Sequence, residues 1–126
     1  MKRIPEIPAK GTIDYTEIIE FEGGQDRIKD QNTAGEQLKE LVDLLRQNPE
    51  IKAFIHGNVG DGELPGNKFL LNNKLVPAEK LMSARALAIY KFLIEQGVDP
   101  KQLKHGTGKI NKDEDGYNVT FVLEKE

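Results

Sequence analysis

One charged residue interrupts the apolar side of the longest predicted helix, residues 77–96. With successive residues 100° apart on a helical wheel, six apolar residues share a single arc. These are Leu81, Met82, Ala86, Ile89, Phe92 and Leu93. Arg85 lies in the middle of that arc, and a guanidinium costs several kcal/mol to bury without a partner. The pattern predicts that Arg85 either extends to the surface or lies in a cleft where it meets an anionic group.

The rest of the sequence predicts alternating strands and helices. Residues 12–21 predict a first strand, and residues 51–56 predict a second, central strand. Between them, Thr33 and Glu36 form a predicted capping box at the start of a helix. Gly97 and Pro100 end the long helix, and strands over 102–105 and 118–123 follow. Two strand–helix–strand crossovers imply parallel strands, with the last strand antiparallel to the third. We therefore expect a two-layer α/β (α+β) sandwich over residues 12–126, after an irregular lead-in at residues 1–11.

The least regular segment, residues 57–76, separates the central strand from the long helix. It contains four glycines, one proline and the apolar triplet Phe69-Leu70-Leu71. A loop of this length inside a compact domain is usually functional or mobile. We predict an enlarged loop that forms a tethered lid or a short extra turn, with Ile28 as the apolar anchor of the earlier connection.

Composition excludes several classes of protein. A chain of 126 residues fits one domain, and the absence of cysteine excludes disulfides and thiolate metal sites. The net charge of -3 argues against general nucleic-acid binding. No apolar run approaches the length of a bilayer span, and the first twelve residues lack the apolar core of a signal peptide. Any signal or anchor is therefore expected outside this chain.

Catalytic and metal-binding patterns have little support. His56 and His105 each end a predicted strand. Ser83 lies on the opposite side of the long helix from Arg85, so the sequence gives little support for a Ser-His-Asp arrangement. Residues 111–116 match the first half of a calcium loop, but Val122 stands where a bidentate glutamate is needed. We predict no catalytic residue, no metal site and no cofactor.

A locally basic stretch accompanies the third strand. It consists of Lys101, Lys104, His105, Lys109 and Lys112. Such a stretch fits a solvated surface, and it also fits a surface that binds an anionic partner. The sequence leaves both interpretations open.

The loop after the central strand and Arg85 form the strongest candidate site. The crossover brings the first half of the long helix to the carboxyl end of that strand, where ligands bind in layered folds. Asn58, Asp61 and Arg85 would then line one cleft. A guanidinium binds a carboxylate and a carboxylate binds an ammonium, so this set suits a zwitterion. An ion pair between Arg85 and Asp61 that holds the loop is the alternative.

Several motifs resemble those of OmpA-like domains, the peptidoglycan-associating modules of Gram-negative envelope proteins. The best match is the run RALAIYKFL that begins at Arg85, followed by GVDP from Gly97 and GTG from Gly106. Phe21 and Leu38 also fit the first half of the family pattern. The resemblance covers most of the chain, from about residue 18 to residue 123.

The resemblance implies both a fold and a ligand. The family fold is β-α-β-α-β-β, with a mixed four-stranded sheet, two helices on one face and the last strand between the first two. Its ligand is the zwitterionic diaminopimelate of the peptidoglycan peptide stem. Arg85 matches the family arginine that binds the ligand carboxylate. Asp61 is then the candidate partner of the ligand ammonium, and Asn58 is a candidate hydrogen-bond donor.

Other ligand motifs of the family are altered in this chain. The sequence Gly57-Asn58-Val59-Gly60 stands where the family has Gly-His-Thr-Asp, and Asp61 comes one residue late. Of the family's Asn-x-x-Leu-Ser only Leu81 is kept, and two arginines near the C-terminus are absent. We therefore predict a non-catalytic domain that binds peptidoglycan or anchors to the cell envelope through an altered, weakened site.

The alternative on the same scaffold is a domain that has lost peptidoglycan binding and contacts other envelope proteins through residues 57–76. Both interpretations place the domain in the periplasm, in an outer-membrane-associated protein. Neither involves nucleic acid.

Overall fold

The computed structural model describes residues 11–21, 26–60, 68–71, 74–111 and 118–125. Its two helices are α1, Gln31–Gln47, and α2, Ala78–Glu95, and a 3₁₀ turn covers Pro100–Gln102. Its strands are β1 Thr12–Ile18, β2 Ile51–Gly60, β3 Lys68–Leu71, β4 Lys74–Pro77, β5 Leu103–Asn111 and β6 Asn118–Lys125.

The main sheet has four strands in the order β1-β6-β2-β5. The last strand, β6, pairs antiparallel with both β1 and β2, whereas β5 pairs parallel with β2. The sheet is therefore mixed, with the last strand between the first two and β2 in a central position. These features confirm the architecture that the sequence and its resemblance predicted.

Both helices pack on one face of this sheet. Strand alternation places Tyr15, Phe121 and Ile55 in one row across β1, β6 and β2, and all three belong to the buried core. We call this helix-covered side the inner face. The outer face carries Asp14 and Lys52, which are exposed. The six apolar residues on the wheel of α2 are all buried, and so is Ile28, as predicted.

Within residues 57–76, where the sequence predicted a lid or a short extra turn, the structure describes the end of β2 and two short paired strands; whether the segment acts as a lid stays a prediction. Strand β2 continues to Gly60, and β3 pairs antiparallel with β4 from Lys68↔Pro77 to Leu71↔Lys74. The two short segments KFLL and KLVP are rich in apolar residues and only two residues apart, which favours a hairpin. The separating Asn-Asn lacks the glycine of the commonest hairpin turns, so the sequence signal was weak.

The third strand is also longer than the predicted stub over residues 102–105. Strand β5 has nine residues, because its parallel pairing with β2 carries it through a glycine-containing stretch. Gly97, by contrast, ends α2 as predicted, with a φ of 97° that disfavours other residues.

The start of α1 corrects the predicted capping box. The helix begins at Gln31, and Asp30 is the N-cap, because its Oδ1 accepts hydrogen bonds from the backbone N–H groups of Asn32 at 3.0 Å and Thr33 at 3.2 Å. A carboxylate both satisfies the free N–H groups of a first turn and complements the helix dipole. It therefore moves the helix start upstream of Thr33.

Replacing Asp30 with alanine is expected to lower the melting temperature in a pH-dependent way. The N–H bonds, above all that from the Thr33 backbone, hold the pKa of Asp30 below its ordinary value. A lowered folded-state pKa contributes stability above the unfolded pKa, about 3.9, and this is lost as the pH falls through the folded value. The melting temperatures of Asp30→Ala and of the unaltered domain should thus differ more at about pH 7 than at about pH 2. The control is Asp30→Asn, because asparagine also caps helices. An equal loss of melting temperature in Asp30→Ala at both pH values would contradict the assignment of the Asp30 carboxylate as the N-cap.

Candidate functional site

The side chain of Arg85 is fully buried. Its Nη1 donates a hydrogen bond to the backbone carbonyl of Asn58 at 3.1 Å. Its Cζ lies 4.9 Å from the centre of the Phe21 ring, within the range of a cation–π contact. Of the two alternatives from the sequence, extension to the surface is therefore wrong. The guanidinium lies inside the domain, at the carboxyl end of β2.

Gly57 explains why the guanidinium reaches this place. A Cβ atom at Gly57 would lie 2.1 Å from the Met82 carbonyl oxygen and 2.9 Å from the Ala86 backbone nitrogen. The backbone of α2 is therefore in direct contact with β2, because glycine has no side chain there. This contact brings the helical turn that carries Arg85 against the next strand residue, Asn58.

The side chain of Asn58 is directed elsewhere. Its Nδ2 donates to Thr120 Oγ1 at 3.1 Å, and Thr120 is on the outer face, opposite His56 in the sheet register. A Cβ atom at Gly108 would lie 2.1 Å from the Asn58 Oδ1, so the amide also packs against β5. The structure thus brings the backbone carbonyl of Asn58 to Arg85, while its amide contacts another face of the sheet.

Asp61, the predicted partner of a ligand ammonium, lies outside the described residues. Its proximity to Arg85 therefore stays a prediction. The triplet Phe69-Leu70-Leu71 belongs to β3, and both β3 and β4 contact α2. The hairpin is thus beside the helix that carries Arg85.

Two buried residues near this end of the sheet were not predicted from the sequence as part of the site. Phe21 provides the ring beneath the guanidinium and forms an isolated bridge with Ile28. Glu17 is 5% exposed and accepts a hydrogen bond from the Tyr15 hydroxyl. It occupies the same row across the sheet as Gly57. The two-residue period of β1 could have placed Glu17 on the inner face with Tyr15.

The histidines and Ser83 are not brought together. His56 stacks on Phe54 on the outer face, with ring centres 4.4 Å apart. His105 contacts the Tyr90 ring at 5.0 Å, on the side of α2. Ser83 is exposed on that helix. These three side chains do not form the arrangement that a serine nucleophile requires.

Solved structures with the same fold include periplasmic and OmpA-like domains of bacterial proteins. The periplasmic domain of Helicobacter pylori MotB has a TM-score of 0.68 and 16% identity, over 97% of this chain and 87% of that chain. A putative MotB-like protein from Desulfovibrio vulgaris has a TM-score of 0.67 and 20% identity, over 91% and 75%. The OmpA-like domain of FopA1 from Francisella tularensis has a TM-score of 0.64 and 12% identity, over 90% and 73%. At these identities the likeness shows the fold.

No curated protein sequence matches the chain. Neither helix among the described residues is long and apolar enough to cross a membrane. The model of the OmpA family matches residues 20–119, which include β2, α2, β5 and the buried arginine. Together with the mixed β1-β6-β2-β5 sheet, this match shows that the chain belongs to the OmpA family.

Proposed function

We propose that this OmpA-family domain binds the peptide stem of peptidoglycan without catalysis, through an altered site of reduced affinity. Arg85 is the anchor for a carboxylate of the stem, and Asp61 is the partner of its ammonium group. The observation that carries the proposal is a buried guanidinium at the carboxyl end of β2. The association of OmpA-like domains with peptidoglycan supports the choice of ligand, and it also supports a periplasmic location.

The energetic position of Arg85 supports a ligand-binding role. It occupies the apolar arc of α2 between Leu81 and Ile89, which are both fully buried. An apolar side chain would occupy this place without the desolvation cost of a guanidinium, which amounts to several kcal/mol. A bidentate carboxylate is the anion that best matches the two parallel N–H groups of arginine. The diaminopimelate stem provides such a carboxylate.

The contacts of the site account for the reduced affinity. Arg85 already donates to the Asn58 carbonyl, and its side chain has no exposed surface. A ligand must therefore bind a locally opened form, and its apparent affinity falls with the population of that form. The Asn58 amide is also occupied by Thr120 on the outer face.

A titration followed by amide chemical shifts tests this function. A muropeptide that contains diaminopimelate should shift the amides of residues 57–61 and of Arg85. Arg85→Met keeps the length and packs on an apolar arc, so the domain should fold while binding weakens at least about tenfold. Arg46→Met, on the exposed side of α1, is the matched control and should bind as the unaltered domain does.

Two outcomes would contradict the proposal. An unaltered domain that shows no shift at millimolar muropeptide has no such site, and equal binding by Arg85→Met would remove Arg85 as the anchor. The first outcome favours the alternative interaction module, since the β3–β4 hairpin is a separate sheet beside α2. Its partner would then be another envelope protein.

A further inference from the structure

The outer face of the sheet carries an open groove of about 290 Å³ beside β5. Its floor includes the half-buried apolar side chains of Phe54 and Val122. Its charged lining consists of Lys52, Lys101, Lys104 and Glu124. This volume is close to the lower end of the range found for small-ligand sites.

The charge of this groove is opposite to that of the whole chain. The chain has a net charge of -3, whereas the groove has three lysines against one glutamate among its described lining residues. Glu124 lies directly opposite Lys52 in the sheet register, which leaves the positive excess at Lys101 and Lys104, beside β5. Charges of one sign along a cleft attract ligands of the other sign. The groove therefore favours an anionic ligand.

The adjoining strand β5 is an edge of the main sheet. It pairs with β2 in regular register from Leu103 to Thr107, and the register shifts beyond that residue. An edge strand has an outward row of N–H and C=O groups to which an extended peptide can add. Lysines on an edge oppose pairing with neutral or basic strands, and they permit pairing with an acidic one. Lys104 is exposed on the groove side of this strand.

The two aromatic rings of the groove, those of Phe54 and His56, each have one face covered by the other, which lowers the ring surface available to nucleic-acid bases or sugars. The rings of Phe54 and His56 are stacked on each other, 4.4 Å apart with an interplanar angle of 24°. His56 Nδ1 also donates to the Thr107 carbonyl at 2.9 Å, since a carbonyl can only accept. Single-stranded nucleic acids need open ring faces for stacking. The rings here are instead packed against each other.

We propose that β5 and this groove bind an extended acidic segment of a partner protein. The segment adds alongside residues 103–107 of the edge strand. Alternate side chains of an added strand point to opposite faces of the sheet, so its carboxylates on the outer face contact Lys101 and Lys104 at the rim of the groove. This surface is on the outer face, so it is separate from the buried guanidinium on the inner face.

Titration of the chain with a synthetic peptide of alternating glutamate and valine tests the proposal. We expect amide shifts in residues 52–56 and 103–107, and slower hydrogen exchange at the outward amides of β5. Reversal of charge in the double variant Lys101→Glu, Lys104→Glu should weaken binding at least about tenfold. The matched control, Lys39→Glu with Lys91→Glu on exposed helical positions, should leave binding unchanged.

Four results would overturn the proposal. The first is the absence of shifts at millimolar peptide. The second is equal binding by a peptide of alternating lysine and valine, which would remove the charge argument. The third is a set of shifts without slower exchange in β5, which would remove the edge pairing. The fourth is tighter binding of oligothymidylate or heparin at the same residues, which would assign the surface to another class of polyanion.

Discussion

Replacing Gly57 with alanine is expected to cost about 3 kcal/mol or more of unfolding free energy. The added Cβ would lie 2.1 Å from the Met82 carbonyl oxygen and 2.9 Å from the Ala86 nitrogen. Both atoms belong to the backbone of α2, so no side-chain rotation can relieve the overlap. The helix would have to move away from β2, and the hydrogen bond from Arg85 to Asn58 would lengthen with it. We therefore expect loss of both stability and muropeptide binding.

Denaturant unfolding of the variant and of a glycine control measures this effect. Gly35 lies inside α1, and a Cβ there would meet the Phe92 ring at an ordinary 3.7 Å. Gly35→Ala should therefore be neutral or stabilising by up to about 1 kcal/mol, since alanine favours helix. Equal midpoints for the two variants would show that α2 does not approach β2 as closely as the structure has it.

Substituting Gln102 with leucine is expected to cost about 2–4 kcal/mol. The Gln102 side chain is 7% exposed, and its Nε2 lies within hydrogen-bond distance of three backbone carbonyls. These belong to Leu45 at 2.8 Å, Asn48 at 3.0 Å and Ile51 at 2.9 Å. One amide therefore connects the end of α1 to the start of β2. Leucine fills the space but leaves these acceptors without the amide donor.

Chemical denaturation at several pH values separates this network from simple packing. Gln102→Glu keeps the shape but places a carboxyl group against carbonyl oxygens, so its pKa should be raised and the protonated form favoured. A raised folded-state pKa for an acid means that stability is highest below the unfolded pKa, about 4.3, and falls as the pH rises above it. Gln47→Leu, on the exposed side of α1, should change stability by no more than about 0.5 kcal/mol. If the difference in unfolding free energy between Gln102→Glu and the unaltered domain did not change with pH, the result would contradict the hydrogen-bond network.

The sequence predicted those parts of the fold that local patterns specify. The apolar period of α2, the glycine at position 97 and the central strand before residue 57 depend on neighbours in the chain. The β3–β4 hairpin and the full length of β5 depend on pairing between distant or weakly marked segments. Both Asp30 and Thr33 are residues that can cap a helix. Asp30 is the N-cap of α1, because its carboxylate accepts hydrogen bonds from two backbone N–H groups.

The candidate site was predictable only in part, for the same reason. A helical wheel identifies Arg85, because a charged residue among apolar neighbours can be recognised from residue spacing alone. The wheel does not show that Phe21 lies beneath the guanidinium. Nor does spacing show that the Asn58 carbonyl, and not its amide, faces Arg85, since this depends on the sheet register and on the close approach at Gly57.

The position of β6 between β1 and β2 sets the order in which the domain can form. Strand β1 has its main-sheet partner in β6 alone among the described strands, and about a hundred residues of chain separate the two. During synthesis β1 cannot take its native place in the sheet until β6, which lies between β1 and β2 and follows both in the chain, has been made. Such long-range pairing slows folding. The helices and the β2–β5 pair can therefore assemble first, and closure of the sheet by β6 completes the domain.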